Sequence, residues 1–310
     1  MSAISETNFP KTQPALNGHS MVGVLRRVLV CSPQSAGWDR AERVARWREL
    51  GFRHAPDVAK AQEQHEALCR ELTAAGAEVV ELKVESRADV GGDLTLDAVY
   101  VHDASLATDF GVIVMRPGKA NRVAEGRNQE LFFQRLGIPV LGAIAAPGTT
   151  EAGDVVWVDA KTLLVGRGYR TNAAGIEQMR ALLGPKGIEV IAAPLPHGAG
   201  PEECLHLMSL ISLLDEKRAL VDSAWLAVET VELLKERGYD FIEIDAAERE
   251  TLACNVLALG GGRLLAIEEN HRTNERLHRA GFDVRTFPGS EICINGSGGP
   301  TCLTRPLVRE

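Results

Sequence analysis

The chain has 310 residues, a formal net charge of −8 and 45% hydrophobic residues, with few aromatic side chains. This composition is typical of a folded protein, and the length suits one large domain or two ordinary ones. The net negative charge and the lack of clustered Lys and Arg argue against nucleic-acid binding. No run approaches the roughly 18 apolar residues that a membrane helix needs.

The first segment, residues 1–22, is polar and lacks the basic start and apolar stretch of a secretory signal. We therefore expect a mobile arm at 1–22, a folded domain at 23–310 and a cytoplasmic protein. The six cysteines are widely spaced, so we expect reduced thiols instead of a disulfide framework.

From residue 23 onward the chain repeats a short strand, an amphipathic helix, a glycine and a second strand. In the first copy "RRVLVCSP" precedes "QHEALCRELTAAGAEVVELKV", where Leu68, Leu72 and Ala75 have helical spacing and Gly76 follows at a C-cap position. Four more copies open at "GVIVMRP", "TLLVGRGYR", "RALVDSA" and "RLLAIEEN". Between the copies, "DAVYVHDASLA", "GDVVWVDA" and "VLALGGG" predict extra strands that pair with the next copy.

The number and spacing of the copies limit the architecture. A solenoid needs equal repeats, and an eightfold barrel needs about eight units of similar length. The glycines of "LALGGGRL" lie between two strand patterns, which favours a hairpin turn over a nucleotide-binding loop. A closed ring of five units in a single α/β domain fits best.

The first copy also carries an insertion at residues 35–56 with two tryptophans, Trp38 and Trp47. Loops that close over a site are common, and so are insertions that only form surface. A lid over the site and part of a partner interface both remain open.

Cys302 lies in "GSGGPTCLTRP", a segment too polar and too rich in glycine for a core strand. Glycines allow the backbone to approach a ligand, and a reactive thiol needs partial exposure.

A nucleophilic cysteine requires a histidine for proton transfer. His206 interrupts the apolar stretch "CLHLMSLISLL", where an imidazole needs a hydrogen-bond partner, and His102 is a lesser candidate. A structural thiol and a core histidine remain the alternatives.

Acidic residues also interrupt hydrophobic patterns. Asp97, Tyr100 and Asp103 punctuate "LDAVYVHDASL", where an extended segment would point Asp103 away from Tyr100, and Glu151 precedes a strand in "EAGD". Such residues are typical of turns and solvated faces. If they converged near a thiol they would form a pocket for a planar guanidinium, which carboxylate oxygens match in pairs.

The order of the five units, the "EAGD" turn, the "LHL" histidine and the C-terminal cysteine resembles one group of proteins. These are the guanidino-group modifying enzymes of the pentein, or β/α-propeller, superfamily, and above all the dimethylarginine dimethylaminohydrolases. The resemblance covers the chain from about Gly23 onward. It implies a fivefold pseudosymmetric β/α-propeller forming one catalytic domain at 23–310.

The resemblance also implies a role for each residue of the motifs. Cys302 matches the nucleophile, His206 the general acid and base, and Glu151 and Asp103 the carboxylates that hold the guanidinium.

Further positions match the substrate pocket. Asp97 and Tyr100 match pocket residues, and Arg122 and Arg170 match arginines that bind the substrate's α-carboxylate. His102 stands where the dimethylarginine hydrolases tend to carry Glu, which changes one expected substrate contact.

The implied function is hydrolysis of the guanidino C–N bond of an N-omega-substituted arginine or a related guanidino amino acid. The reaction would pass through an amidino-thioether and give a ureido product, such as citrulline, with an amine or ammonia. Met208 replaces an Asp that is usual in arginine deiminases, which disfavours deimination of plain arginine. An amidinotransferase with the same intermediate and a non-catalytic pentein binding protein are the alternatives.

The expected partner is a small guanidino molecule, with a homodimer left open, and neither nucleic acid nor a membrane is expected. No cofactor is expected either. Zinc is disfavoured because Cys204 and His206 lack the paired spacing of a metal motif with Cys293 or Cys302.

Overall fold

Five three-stranded sheets form the framework of the computed structural model, which describes residues 16–83, 92 and 94–310. In every sheet the central strand is antiparallel to one neighbour and parallel to the other. A helix joins the central strand to its parallel neighbour, because parallel strands require a crossover connection. The predicted ring of five strand–helix units is confirmed.

The strands in chain order are β1 (Leu25–Val30), β2 (Glu78–Glu81), β3 (Ser105–Thr108), β4 (Gly111–Val114), β5 (Val140–Ala143), β6 (Val155–Asp159), β7 (Thr162–Arg167), β8 (Glu189–Pro194), β9 (Ile211–Leu213), β10 (Arg218–Val221), β11 (Asp240–Glu243), β12 (Leu257–Gly260), β13 (Arg263–Ile267), β14 (Asp283–Phe287) and β15 (Arg305–Arg309). The α-helices are α1 (Ala41–Val44), α2 (Val58–Ala74), α3 (Val123–Arg135), α4 (Ala173–Leu183), α5 (Val228–Glu236) and α6 (His271–Arg279).

The last strand closes the ring. β15 pairs antiparallel with β1, with Pro306 opposite Val28, while β2 pairs parallel on the other side of β1. The C-terminal strand therefore supplies to the first sheet the antiparallel strand that β3, β6, β9 and β12 supply to the other sheets. None of the helices in the described ranges has the length and apolar content that a membrane crossing requires.

Local chemistry sets the limits of the longest helix. The Asp57 side chain caps α2 by accepting a hydrogen bond of 3.0 Å from the Lys60 backbone N–H. After α2 ends, Gly76 adopts a φ of 92°, a left-handed conformation that favours glycine. The predicted glycine C-cap is thus confirmed.

The "LALGGGRL" segment forms the predicted hairpin between β12 and β13. Its three glycines, Gly260, Gly261 and Gly262, have φ values of 88°, 64° and 77°. Side chains with a Cβ rarely adopt this region, which explains the run of glycines without any role in nucleotide binding.

The segment "DAVYVHDASLA" is only partly a strand, so the expectation of an extended chain there is wrong. Leu96–Val99 form a 3-10 turn, in which the Tyr100 N–H donates to the Asp97 carbonyl at 2.9 Å. β3 begins only at Ser105, so the expected alternation of Tyr100 and Asp103 across a strand does not apply.

Part of the segment 1–22, which was expected to be a mobile arm, belongs to the folded domain. Residues 1–15 lie outside the described residues, but 16–22 pack against the folded domain. Leu16 is buried, Asn17 bridges to Val308, and the His19 ring stacks on Trp157 at 4.1 Å. The folded domain therefore begins no later than residue 16.

Candidate active site

A cleft of about 790 Å³ collects most of the predicted site residues. The predicted residues that line it are Asp97, Tyr100, Asp103, Arg122, Arg170, His206 and Cys302. The 35–56 insertion also contributes to the lining through Arg48, Glu49, Leu50, Gly51 and Arg53. Glu151 and His102 do not line the cleft, and their positions are described below.

The ring explains why residues from distant parts of the chain meet. Each unit places one polar residue shortly before its antiparallel strand: Asp103 before β3, Glu151 before β6, His206 before β9, Asn255 before β12 and Cys302 before β15. Because the five sheets are pseudosymmetric, these equivalent strand ends converge. The fold thus gathers the five side chains without any local sequence motif that contains them all.

His206 and Glu151 form a buried hydrogen-bonded pair. His206 Nε2 donates to Glu151 Oε2 at 2.7 Å. Burial alone would lower the pKa of His206, but the negative charges of Cys204, Asp103 and Asp154 outweigh it and hold the pKa well above its ordinary value. Burial would raise the pKa of Glu151, but the hydrogen bond and charge of His206 hold it well below its ordinary value. The pair is therefore an imidazolium and a carboxylate.

Glu151 orients other groups of the site and does not meet the cleft. It is fully buried and also accepts hydrogen bonds from Arg170 Nη1 at 3.3 Å and from the Lys119 backbone N–H at 3.2 Å. With these donors and His206, both of its oxygens are engaged. The expected direct contact between Glu151 and the guanidinium is therefore replaced by positioning of His206 and Arg170.

Cys302 is partly buried, and its thiol is held by an amide that the sequence patterns did not single out. Asn255 Nδ2 donates to Cys302 Sγ at 3.1 Å, and Asn255 Oδ1 accepts from the Thr301 backbone N–H at 3.0 Å. Burial, together with the charges of Asp103 and Cys204, raises the pKa of the Cys302 thiol to about 12. The thiol is therefore neutral near pH 7 in this structure.

The glycines before Cys302 allow its loop to lie against Tyr100. A Cβ on Gly296 or Gly298 would collide with the Tyr100 ring or hydroxyl. The Tyr100 hydroxyl donates to the Ile292 carbonyl at 3.0 Å, so the ring is fixed beneath the loop. The glycine-rich composition thus serves a close approach of backbone to side chain.

Asp103 retains room for a ligand. Its Oδ2 accepts from Arg122 Nη1 at 2.6 Å, and its Oδ1 accepts from the Gly153 backbone N–H at 3.0 Å. A carboxylate has about four acceptor positions, so two remain for a guanidinium in the cleft. Asp103 is therefore the carboxylate best placed to hold the reacting group.

Arg122 was expected to bind the α-carboxylate of the substrate, but its guanidinium is buried within the protein. Besides Asp103, it donates from Nε and Nη2 to Glu125 at 2.9 and 2.8 Å, and from Nη2 to the Tyr100 carbonyl at 3.0 Å. Its charge is balanced by two carboxylates. Arg122 positions Asp103 and is not available to a substrate carboxylate in this structure.

Arg170 is more available. It lines the cleft, and its hydrogen bonds to the described residues involve only Nη1, which contacts Glu151. Nε and Nη2 therefore have no partner among the described residues, and the binding of a ligand carboxylate by Arg170, which the resemblance implies, stays a prediction.

His102 supports the nucleophile loop and is not a pocket residue. Burial and the charge of Arg305 lower the pKa of His102 to about 3, so its imidazole is neutral. Nδ1 donates to the Thr304 carbonyl at 2.7 Å, and the backbone N–H donates to the Cys302 carbonyl at 3.1 Å. The expected substrate contact at His102 is therefore wrong, because the side chain is buried and does not line the cleft.

Two more cleft residues were missed from the sequence. Cys204 Sγ lies 3.9 Å from His206 Nδ1, and although burial would raise its pKa, the charge of His206 lowers it below its ordinary value. Lys119 Nζ donates to Asp97 Oδ2 at 2.5 Å. Neither a lone cysteine nor a lysine after a glycine marks a site by its sequence alone.

Within the described ranges, one group could in principle hold a metal ion. Ligand atoms of Asp103, Glu151 and His206 all lie within 4.8 Å of one another. Arg122 and Arg170 already pair with the two carboxylates, and His206 is positively charged. These cations oppose a metal ion at this position.

Comparison with known protein families identifies a family match along most of the chain. The family model for arginine deiminase matches residues 96–233 and 222–309, which contain every predicted site residue. The chain belongs to the arginine deiminase family. Relatives in this family also include proteins with a different named activity.

Two relatives are N(G),N(G)-dimethylarginine dimethylaminohydrolases. The protein from Pseudomonas aeruginosa is 30% identical over 249 residues, which cover 80% of this chain and 89% of the relative. The protein from Streptomyces coelicolor is 32% identical over 257 residues, which cover 81% of this chain and 88% of the relative. Arginine deiminases such as that of Listeria welshimeri are 26% identical over 254 residues, and the match covers 61% of their length.

Solved structures of this family share the fold. The Pseudomonas aeruginosa dimethylarginine dimethylaminohydrolase, a mutant in complex with citrulline, has a TM-score of 0.69 and 28% identity, covering 91% of this chain and 98% of that one. The N-terminal domain of an arginine dihydrolase from cyanobacteria has a TM-score of 0.75 at 22% identity, and the match covers 91% of this chain and 97% of that domain. The predicted pentein fold is confirmed.

Proposed function

We propose that this protein is a cysteine-dependent hydrolase that cleaves a guanidino C–N bond of an arginine-like substrate. The products are a ureido compound and an amine or ammonia. The supporting observation is the convergence of Cys302, His206 and Asp103 in one cleft, with His206 charged and hydrogen-bonded to Glu151. The named activities of the relatives, dimethylarginine dimethylaminohydrolase and arginine deiminase, belong to the same class of reaction.

The first task of the cleft is to bind and orient the guanidinium. Its carbon is a poor electrophile because resonance spreads the charge over three nitrogens. Asp103 accepts N–H groups of the guanidinium and fixes its plane beside Cys302. The bound cation lowers the pKa of the Cys302 thiol, which is about 12 in the empty cleft. Substrate binding thereby makes the thiol release its proton to solvent, which creates the thiolate nucleophile.

The second task is proton transfer. The Cys302 thiolate attacks the guanidinium carbon and forms a tetrahedral adduct. His206, as imidazolium, donates a proton to the departing nitrogen, and the C–N bond breaks to leave an amidino-thioether. The neutral His206 then takes a proton from water, the hydroxide adds to the amidino carbon, and the C–S bond breaks. The hydroxyl proton of the adduct passes to the departing Cys302 sulfur as the C=O bond of the ureido product forms. The product then leaves, with the Cys302 thiol and the His206 imidazolium restored.

A ureido-product assay tests this proposal. The purified protein is incubated with arginine, mono- and dimethylarginine, agmatine, canavanine and shorter guanidino acids. We expect turnover of at least one compound and none with Cys302→Ala. Cys69→Ala, which removes a thiol outside the cleft, is the matched control and should retain activity.

Two outcomes would contradict the proposal. One is a ureido product formed equally well by the Cys302→Ala protein. The other is no product from any compound in the panel, while circular dichroism shows a folded protein. In the second case, transfer of the amidino group to an added amine would identify an amidinotransferase.

A further inference from the structure

The cleft already contains an ammonium group that belongs to the protein. Lys119 Nζ donates to the Leu50 carbonyl at 2.6 Å and to Asp97 Oδ2 at 2.5 Å. The Lys119 side chain is 23% exposed, whereas Asp97 is 4% exposed. Leu50, Asp97 and Lys119 all line the cleft. A carboxylate and a carbonyl in one cleft are the acceptors that an ammonium group of a ligand requires.

Lys119 is held in this position by the site itself. Its backbone N–H donates to Glu151 Oε1 at 3.2 Å. The preceding Gly118 packs so closely on the Arg170 backbone that a Cβ would lie 2.6 Å from the Arg170 carbonyl oxygen. The Lys119 backbone is thus anchored to Glu151 and Arg170, unlike that of a surface lysine.

The occupied acceptors change which ligands gain from binding. A buried carboxylate is costly unless it is paired, and Lys119 supplies the charge that Asp97 needs. A substrate ammonium at Asp97 would have to displace Lys119, so one ion pair would replace another without a net gain. A substrate with no ammonium leaves the pair intact.

The remaining charges near Lys119 favour an anionic group on the ligand. Lys119 uses two of its three Nζ–H groups on Leu50 and Asp97, which leaves one donor. Arg170 also lines the cleft and uses only Nη1 within the described part of the chain. Two cationic side chains with unused donors suit a carboxylate.

The geometry points to Lys119 as a specificity-determining residue that selects guanidino carboxylic acids without an α-ammonium group. This inference rests on the proposed function and narrows its substrate class. Arginine and its deaminated analogue, δ-guanidinovalerate, differ only in the ammonium. They therefore form the pair of substrates that isolates the effect of Lys119.

The test is the ratio of kcat/KM for δ-guanidinovalerate to that for arginine. We expect a ratio of about ten or more in the natural protein, because the arginine ammonium must either displace Lys119 from Asp97 and Leu50 or lose its water without gaining a partner. Lys119→Met frees Asp97 and Leu50 for a ligand ammonium, so the ratio should fall by at least about tenfold. Lys119→Arg retains the cation and should retain the preference. Lys60→Met, a lysine on the exposed face of α2, is the matched control.

Lys119→Met leaves Asp97 unpaired, so the double variant with Asp97→Asn provides a second measurement. Without a carboxylate the double variant should bind both compounds with no preference. An equal or higher kcat/KM for arginine in the natural protein would overturn the inference, as would an unchanged ratio in a folded Lys119→Met protein.

If no compound gives a product that depends on Cys302, the proposed function is wrong, and the inference about Lys119 needs a test that does not require turnover. The role of Lys119 is then measured by calorimetric binding of the two compounds to the Cys302→Ala protein. Tighter binding of δ-guanidinovalerate would support the inference. Equal or tighter binding of arginine, or no binding of either compound, would overturn it.

Discussion

The floor and the mouth of the cleft are built in different ways. We define the floor as the five residues that precede equivalent strands of the ring. Four of them line the cleft, namely Asp103, His206, Asn255 and Cys302, and the fifth, Glu151, is buried outside its lining. The mouth consists of loops that follow the central strands β1, β4 and β7, namely the 35–56 insertion and the loops that contain Lys119 and Arg170. We therefore expect the residues before the antiparallel strands to carry the chemistry and the loops after the central strands to contact the rest of the ligand.

Burial separates the floor from the outer part of the mouth, although Arg170 in the mouth is only 7% exposed. Asp103, Glu151, His206 and Asn255 are each at most 8% exposed, and their polar atoms bond to one another or to adjacent backbone. The mouth includes Arg48 and Glu49, which are exposed. Rigid, desolvated groups suit transition-state stabilisation, whereas groups at the rim contribute to ground-state binding. Variants of the floor should therefore lower kcat, and variants of the mouth should change KM.

The largest expected effect is that of His206→Asn on the floor. Loss of the proton donor and acceptor should lower kcat by about 10² to 10⁴, because both covalent steps require proton transfer. KM should change much less, because Asp103 and Arg170 remain. Rapid-quench mass spectrometry measures formation and decay of the amidino-thioether. If His206→Asn forms and hydrolyses the amidino-thioether at normal rates, His206 has no role in the mechanism. The assignment of the chemistry to the floor would then be wrong.

The reactivity of the Cys302 thiol gives the next largest effect. Its pKa of about 12 leaves almost no thiolate near neutral pH. An uncharged reagent such as iodoacetamide should therefore modify Cys302 at least about a hundredfold more slowly than an ordinary thiol with a pKa of about 8.5. A cationic haloacetamidine should bind beside Asp103, lower that pKa and react rapidly. Cys204, whose pKa is lowered, is the expected target of the uncharged reagent.

Peptide mass spectrometry at several times measures both rates on both cysteines. Equal rates of Cys302 modification by the charged and uncharged reagents would show that the floor forms a thiolate without a bound cation. The comparison thus tests whether the substrate itself completes the floor.

Arg170→Ala tests the mouth and should have an intermediate effect. We expect KM for guanidino carboxylates to rise by about ten- to a hundredfold, because a charge-assisted hydrogen bond is lost. Agmatine, which has no carboxylate, should be much less affected. Steady-state kinetics with both compounds measures the difference. Equal increases for the two would show that Arg170 acts only through its contact with Glu151.

The division between floor and mouth also explains what could be predicted from the sequence. Strand and helix patterns are local, so the five units and the "GGG" hairpin follow from them. Cys302, His206 and Asp103 stand out because their residue types conflict with their surroundings. Asn255 is an ordinary loop residue by type, and only its position before the strand "VLALGGG", equivalent to that of Cys302, could have marked it.

The mouth was less predictable because its contacts join unrelated segments. Lys119 meets Leu50 across 69 residues of sequence and Asp97 across 22. No periodicity links these positions, and a lysine after a glycine is typical of a solvated loop. Similarly, Arg122 was assigned to substrate binding, but the neighbouring Glu125 on α3 draws its guanidinium into the protein.

The smallest expected effect concerns Cys204, which lies between the floor and the mouth. The negative charge of Cys204 beside His206 Nδ1 raises the pKa of His206, as do the carboxylates Asp103, Asp154 and Glu151. Burial and the nearby cation Arg170 act in the opposite direction, but the pKa of His206 stays above its ordinary value. The general acid is lost as the pH rises through this pKa, so the alkaline limb of the kcat profile should lie well above pH 6.5, the ordinary pKa of histidine. Cys204→Ala removes one anion and should move that limb to lower pH, with Cys69→Ala as the unshifted control.

No shift would mean that Cys204 is neutral and that the carboxylates alone charge His206, and a shift to higher pH would likewise contradict an anionic Cys204. The maximal kcat of Cys204→Ala should stay within a few fold of the natural value, because the proton donor itself remains. A much larger loss of kcat at every pH would instead place Cys204 among the groups that perform the chemistry, and the floor would then extend beyond its five strand-end residues.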